Sequence, residues 1–189
     1  MIVPVFPLPG AYLFPGSMMP LHVFEPRYRA MVEDQLDVAG RLVIAAVPDE
    51  HVAELAGSPP LDEVAGLGEI ARHEKLPDGR FIIVLAGLGR VRIREIDSPH
   101  AYRLVEVLPF DEEEPGEGYP ETVLDELRTA VLGRAEGPFE LPAEVDLRTL
   151  TDLLLMQMKL PQPVMSGLFA EPSPLARARG ALEEHRRRP

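Results

Sequence analysis

The chain has 189 residues, 46% of them apolar, with 21 prolines, 15 glycines, no cysteine and a formal net charge of −12. That length and apolar content suffice for one ordinary domain, or for a domain with a helical appendage, and they exclude global disorder. Without cysteine there is no disulfide, thiol nucleophile or cysteine-ligated zinc, and the acidic balance opposes a polyanion as the main ligand. No basic stretch precedes an apolar run at the N-terminus, and prolines cut the apolar runs there. Neither a signal peptide nor a bilayer span is expected, and a cytoplasmic protein without membrane association is the default.

Ile2 to Leu8 is apolar throughout and predicts a strand buried on both faces, ended by Pro9-Gly10. From Val5 to Arg29, prolines 7, 9, 15, 20 and 26 forbid a helix across the region and any long central strand. Phe14-Pro15-Gly16 predicts a tight turn, and Met18 to Val23 a short strand. Glu25-Pro26 opens a helix that buries Tyr28, Met31, Val32 and Leu36 and is closed by Gly40. Arg41 to Val47 predicts a buried strand, followed by a surface loop with a helical turn at Glu50 to Ala56.

From Gly66 the pattern is β. Leu67 to Leu76 leads into Pro77-Asp78-Gly79, the strongest hairpin signal in the chain. Arg80 to Ala86 returns, Gly87 and Gly89 bracket a bulge or bend, and Val91 to Ile96 and Tyr102 to Leu108 complete the strands. One early helix among so many strands predicts a coiled sheet or semi-open barrel. Asp111 to Pro120 is acidic, carries Gly and Pro, and reads as a solvated linker. Beyond it the pattern is helical. Thr122 and Asp125 form an N-cap pair, Gly137-Pro138 stops the first helix, and Asp146 caps the second, with Leu147, Leu150, Leu154 and Met158 on one face. Val164 to Phe169 is a short turn, and Ser173 caps a last helix from Leu175 to His185. The expected fold is therefore α+β: a β-rich lobe over 1–110, an acidic linker over 111–119 and a helical lobe over 120–189.

Motifs for chemistry are sparse. Gly66-Leu67-Gly68-Glu69-Ile70-Ala71 has glycine spacing like a dinucleotide fingerprint, but a strand and a hairpin turn follow where a helix is required. The two lysines, Lys75 and Lys159, have neither the setting of a phosphate-binding loop nor that of a serine–lysine dyad. The five histidines, at 22, 51, 73, 100 and 185, lack metal-ligand spacing. No cofactor or metal is expected, and no catalytic residue is named. His22 lies in the opening stretch beside Glu25, Arg27 and Tyr28. The reading preferred for that cluster is a buried network tying strand to helix, the alternative being a polar cluster at a groove. Arg90, Arg92 and Arg94 alternate along a strand and would place three guanidinium groups on one face, an alternative nucleic-acid surface. Phe14, Met18, Met19 and Phe24 are candidates for an apolar binding surface, methionine being adaptable to varied partners.

Phe6-Pro7-Leu8, Leu13-Phe14-Pro15-Gly16, Met19 through Arg29, Gly68-Glu69-Ile70-Ala71, Asp78-Gly79-Arg80 and Gly87 through Ile93 together resemble the LON substrate-binding domain, the N-terminal domain of Lon proteases. The resemblance covers nearly the whole chain, and Phe14 to Arg29 is its most specific part. It implies a PUA-like β-rich lobe followed by a helical lobe, a free-standing domain without ATPase or peptidase parts, and recognition of protein substrates. The expectation is a non-enzymatic module binding unfolded or apolar protein segments, in association with a protease or chaperone system. Peptide contact is assigned to Phe14, Met18, Met19, His22, Phe24 and Tyr28 and a polar rim to Glu25 and Arg27. The alternative is an RNA-binding module using Arg90, Arg92 and Arg94.

Overall fold

Strand β1 (Ile2–Pro9) follows from an unbroken apolar run, and Val3 to Pro7 are buried. A computed structural model gives the fold and describes residues 1–114, 118–135, 137, 140–142 and 144–188. The chain divides into two compact units, Met1–Phe110 and Asp111–Pro189.

In the first unit, β1 is joined by β2 (Met18–Val23), β3 (Arg41–Val47), β4 (Val64–Lys75), β5 (Phe81–Ile96) and β6 (Leu104–Leu108) in a mixed sheet of order β2-β5-β4-β3-β1-β6. Only β1–β3 is parallel. The 16-residue β5 makes the topology possible, because its first half pairs with β2 and its second half with β6. The β5–β6 pairing closes β1, β3, β4, β5 and β6 into a ring and leaves β2 as an extra strand on one side. The coiled sheet expected from the sequence is thus closed. Arg80 to Ala86 and Val91 to Ile96, expected as separate runs, are one strand interrupted by a bulge at Leu88 (Leu67 faces Gly89, and Gly68 faces Gly87).

β1 runs inside the sheet, buried as expected, despite Pro4 and Pro7. The reason lies in the register. Ile2 to Pro4 pair with β6, while Val5 to Pro9 pair with β3. Pro4 has no β3 partner and Pro7 lies beyond the last bond to the β6 side, Val5 N–H to Arg103 O, so neither missing N–H leaves an acceptor orphaned.

Alternating side chains build two cores in this unit. Val3, Val5, Val43, Ala45, Ala65, Val91 and Val105 form one. The other contains Phe6, Leu42, Ile44, Phe81, Ile83 and Leu85, against which helix α1 (Pro26–Leu36) lays Tyr28, Met31 and Val32. Pro26 occupies the first turn of α1, where the lost donor costs nothing, and Gly40 closes it with its N–H on Gln35 O at 3.1 Å. The Tyr102 hydroxyl donates to Asp34 of α1 at 2.7 Å. Burial first, and that hydrogen bond second, push its pKa up to about 12.

A loop crossing seats the opening stretch. Phe14-Pro15-Gly16-Ser17 is a turn closed by Ser17 N–H to Phe14 O at 3.1 Å, and Gly16 takes a φ of +71° that proline at the preceding corner favours. Gly16 and Ser17 then jointly oppose Gly87: Gly16 N–H donates to Gly87 O and Gly87 N–H to Ser17 O, both at 2.9 Å. This is a glycine bulge at the entry to β2. Just before it, Leu13 and Phe14 pass directly over β4 and β5. A Cβ added at Gly66 would overlap Leu13, and one at Gly87 would overlap the Phe14 carbonyl oxygen.

The second unit contains α2 (Glu121–Arg134), α3 (Leu147–Met156), α4 (Gln162–Ala170) and α5 (Pro174–Arg187). Asp146 caps α3, accepting from Thr149 N–H at 2.7 Å, and Ser173 caps α5, accepting from Ala176 N–H at 3.5 Å. Two expectations are corrected. Thr122 and Asp125 do not cap α2, which begins after Pro120 with no side-chain cap. Val164 to Phe169 belongs to a nine-residue helix, since Pro163 fits its first turn. Pro138 and residues 115–117 of the expected linker lie outside the described residues. The linker's described part is anchored, with Arg148 on Glu112 at 2.5 Å and Glu113 N–H on Pro172 O at 3.0 Å. Inside the unit, Arg177 of α5 meets Asp152 of α3 at 2.5 Å with both side chains buried, and its Nε donates to Leu168 O of α4 at 2.9 Å.

Gly87→Ala is expected to lower unfolding free energy by about 1–3 kcal/mol, because backbone as well as side chain must shift; urea denaturation measures it. Asp152→Asn strands the buried Arg177 charge and should cost about 3–5 kcal/mol in the same assay. Asp152→Leu combined with Arg177→Met should recover much of that loss.

Candidate functional site

The β2–β5 ribbon carries an exposed apolar strip in the first unit. Its register places Met18 opposite Ala86, Pro20 opposite Val84 and His22 opposite Ile82. Met18, Pro20 and His22 are exposed, as is Ile82, whereas Met19, Leu21, Ile83 and Leu85 of the intervening positions face the core. Period-two alternation thus yields a strip of six residues on the outer face, with Phe24 exposed just beyond its end. Met18 is 54%, Phe24 59% and Ile82 42% exposed, values that leave their side chains open to a partner. One strand further in, Arg72 faces Val84 and Glu74 faces Ile82, so charge begins where the strip ends.

The residues assigned to peptide contact from sequence divide into two groups. Met18, His22 and Phe24 are exposed, and the His22 and Phe24 ring centroids lie 5.9 Å apart, while Met18 stands at the far end of β2. Phe14 and Tyr28 are buried instead: they are 3% and 5% exposed, and Tyr28 stacks on Phe6 at 4.2 Å. Their aromatic bulk fills the core, and a ligand cannot reach them. Met19 is half-buried against the same core.

The buried network expected around His22 is also corrected, since His22 stands in solvent on the ribbon. The polar cluster is built on Arg27 instead. Its Nε donates to Glu25 at 3.1 Å, its Nη2 to Leu55 O at 2.7 Å, and its guanidinium lies 4.5 Å from the Tyr28 ring centroid. Arg27 therefore straps the loop after β3, which includes the short 3₁₀ segment Asp49–Glu54, to the start of α1. Burial raises the Tyr28 pKa, with Arg27 opposing the shift.

Arg90, Arg92 and Arg94 share a strand face, but not as a free cationic row. Arg90 is buried, 4.6 Å from the Phe110 ring centroid, and Arg92 lies 5.6 Å from the same ring. Arg94 pairs with Glu106, its cross-strand partner.

Sequence reasoning missed Ile82, Val84 and Ala86. Phe81 to Ala86 is apolar at every position, so its pattern alone cannot tell an exposed face from a buried one. The pairing with Pro20 and His22 supplies that distinction. Among the described residues, no cluster of three His, Asp or Glu side chains could hold a metal, and no helix is long and apolar enough to cross a membrane.

A ring-closed mixed sheet with an appended edge strand, followed in sequence by a helical unit, defines this class of fold. It is shared with the Lon N-terminal domain protein from Xanthomonas campestris (TM-score 0.67, 22% identity, 97% of this chain and 98% of that one). The N-terminal domain of Mycobacterium avium complex Lon protease matches equally well (TM-score 0.67, 16% identity, 100% of both chains). The chain belongs to the ATP-dependent protease La (LON) substrate-binding domain family, whose model matches residues 2–184. Lon protease of Flavobacterium johnsoniae is 26% identical over 75% of the chain, and Lon protease 2 of Sorangium cellulosum 30% identical over 69%. The chain spans only 18% and 15% of the length of those two relatives.

Arg27→Ala should leave the ribbon intact and loosen the strap. Proteolytic cleavage within residues 48–60 is expected to accelerate on the order of tenfold, from the loss of a hydrogen bond and a cation–π contact. Limited proteolysis followed by mass spectrometry checks this.

Proposed function

We propose that the chain is a non-catalytic module that binds exposed apolar segments of other proteins on its β2–β5 ribbon. One observation carries this reading: Met18 and Ile82 are large, apolar and exposed at the two ends of one face of the ribbon, with Phe24 exposed just past the Ile82 end. Burying them under a client removes apolar area from water at about 25 cal/mol per Å². Methionine and phenylalanine supply that area without fixing a client's sequence. Membership of a substrate-binding domain family supports the same reading and suggests a proteolytic context. Met19, half-buried beneath the strip, would support the surface rather than contact the client.

The RNA-binding alternative has weaker support. Phosphate recognition needs unpaired guanidinium groups. Here Arg90 is buried under Phe110, and Arg94 is neutralised by Glu106.

Met18→Asp should weaken binding of an unfolded model protein by on the order of tenfold, because the carboxylate would be desolvated without a partner. Fluorescence anisotropy at low and high salt measures it. Equal binding by wild type and variant would sink the ribbon assignment. Binding of a single-stranded RNA in the same assay, falling steeply with salt and requiring Arg92, would favour the nucleic-acid reading; no RNA binding at low salt would remove it.

A further inference from the structure

β2 pairs with β5 alone, and its other long edge is open. The direction of its backbone groups follows from the bulge. Gly87 N–H donates to Ser17 O, so Ser17 and Gly87 form a hydrogen-bonded pair. In an antiparallel ladder such pairs alternate with non-bonded ones. Met19, Leu21 and Val23 therefore exchange bonds with Leu85, Ile83 and Phe81, and the backbone groups of Met18, Pro20 and His22 point away from β5. Pro20 agrees independently, since a proline in an inward slot would have broken the ladder. Among the described residues, no backbone bond from outside the ladder reaches Met18, Pro20 or His22.

We infer that β2 accepts an extended segment of a client chain as an added strand, using the N–H groups of Met18 and His22 and the carbonyls of Met18, Pro20 and His22. This rests on the protein-binding reading above and specifies its geometry and ligand class. Main-chain bonds supply affinity that is independent of client sequence, and alternate side chains supply preference. One row of client side chains lies beside Met18, Pro20 and His22, while the other row lies beside half-buried Met19 and Leu21.

Charge selects the occupant. No formally charged residue stands among Met18, Pro20, His22, Ile82, Val84 and Ala86, and ionic groups begin on β4, at Glu69, Arg72 and Glu74. A client residue of either sign on the strip would lose hydration without gaining a counter-ion, whereas an apolar residue would not. The preferred ligand is thus a short strand with uncharged apolar residues at alternate positions, matching the six residues of β2 in length. Pro20 leaves one rung without a donor, which blunts pairing between two copies of the edge.

The test uses the full chain and a synthetic peptide with alternating apolar residues, alongside the same peptide N-methylated at every second residue in each of the two phases. Methylation in one phase should raise Kd by on the order of tenfold, from the loss of two or more rungs, and in the other phase should leave it nearly unchanged. Amide exchange should slow at Met18 and His22 on peptide binding and stay constant at Met19 and Leu21. If neither phase matters while Met18→Asp still abolishes binding, strand addition is wrong and side-chain docking on the ribbon stands. If the parent peptide and an unfolded protein both fail to bind, both readings fall. Protection of Met18 and His22 without peptide, together with a concentration-dependent dimer in sedimentation, would assign the edge to a second copy and overturn the inference.

Discussion

The backbone of Leu13 and Phe14 rests on strands β4 and β5 at positions where a side chain cannot fit. Gly66 lies under Leu13, and Gly87 under the Phe14 carbonyl. Contact at that distance locks a loop onto a sheet, and the rest of the first unit follows from it. The crossing delivers Gly16 and Ser17 to Gly87, where two backbone bonds fix the register of β2. It also inserts Leu13 into the core shared by Phe6, Ile83, Leu85 and α1. The two glycines, far from Leu13 and Phe14 in sequence, thus accommodate one loop together. Their absence of side chains has a packing reason.

Fixing the register of β2 decides what the surface presents. Side chains on a strand alternate, so a slip by one residue would turn Met18, Pro20 and His22 inward and expose Met19 and Leu21. The glycine bulge prevents that slip. It also places Pro20 at an outward slot, where its lack of a donor harms neither the ladder nor the core. The apolar ribbon and the open edge are therefore two consequences of one anchoring. In the helical unit a different interaction does the ordering: Arg177 reaches Asp152 and Leu168 O, so one buried charge ties three helices.

Most local signals were readable, the cap expected at Thr122 and Asp125 and the turn expected at Val164 to Phe169 being the exceptions. Pro15-Gly16 turns the chain, Pro26 starts α1, Gly79 takes the φ of +81° that its hairpin needs, and Asp146 and Ser173 cap their helices. Each depends on a few neighbouring residues. Signals that need a distant partner were misread. His22 reads as buried because its sequence neighbours are apolar, yet strand alternation turns it to solvent. Phe14 and Tyr28 read as binding residues because aromatic side chains suit either role, and burial alone separates the two. Arg90 reads as a cation on an open face until Phe110 covers it.

The amino-acid sequence by itself pointed to the family, to a β-rich part followed by a helical part, and to most of the turns and caps, though not to α4 or the start of α2. Those properties rest on proline and glycine dihedrals, on apolar periodicity and on side-chain bonds spanning a few residues. Tertiary structure alone decided that the sheet closes through β5 and β6, that Leu13 and Phe14 lie on glycines of other strands, and which face of the apolar run Phe81 to Ala86 remains open. The reason is physical. Exposure is a property of what packs on a residue, and the strand partners of β2 lie more than fifty positions away in the chain.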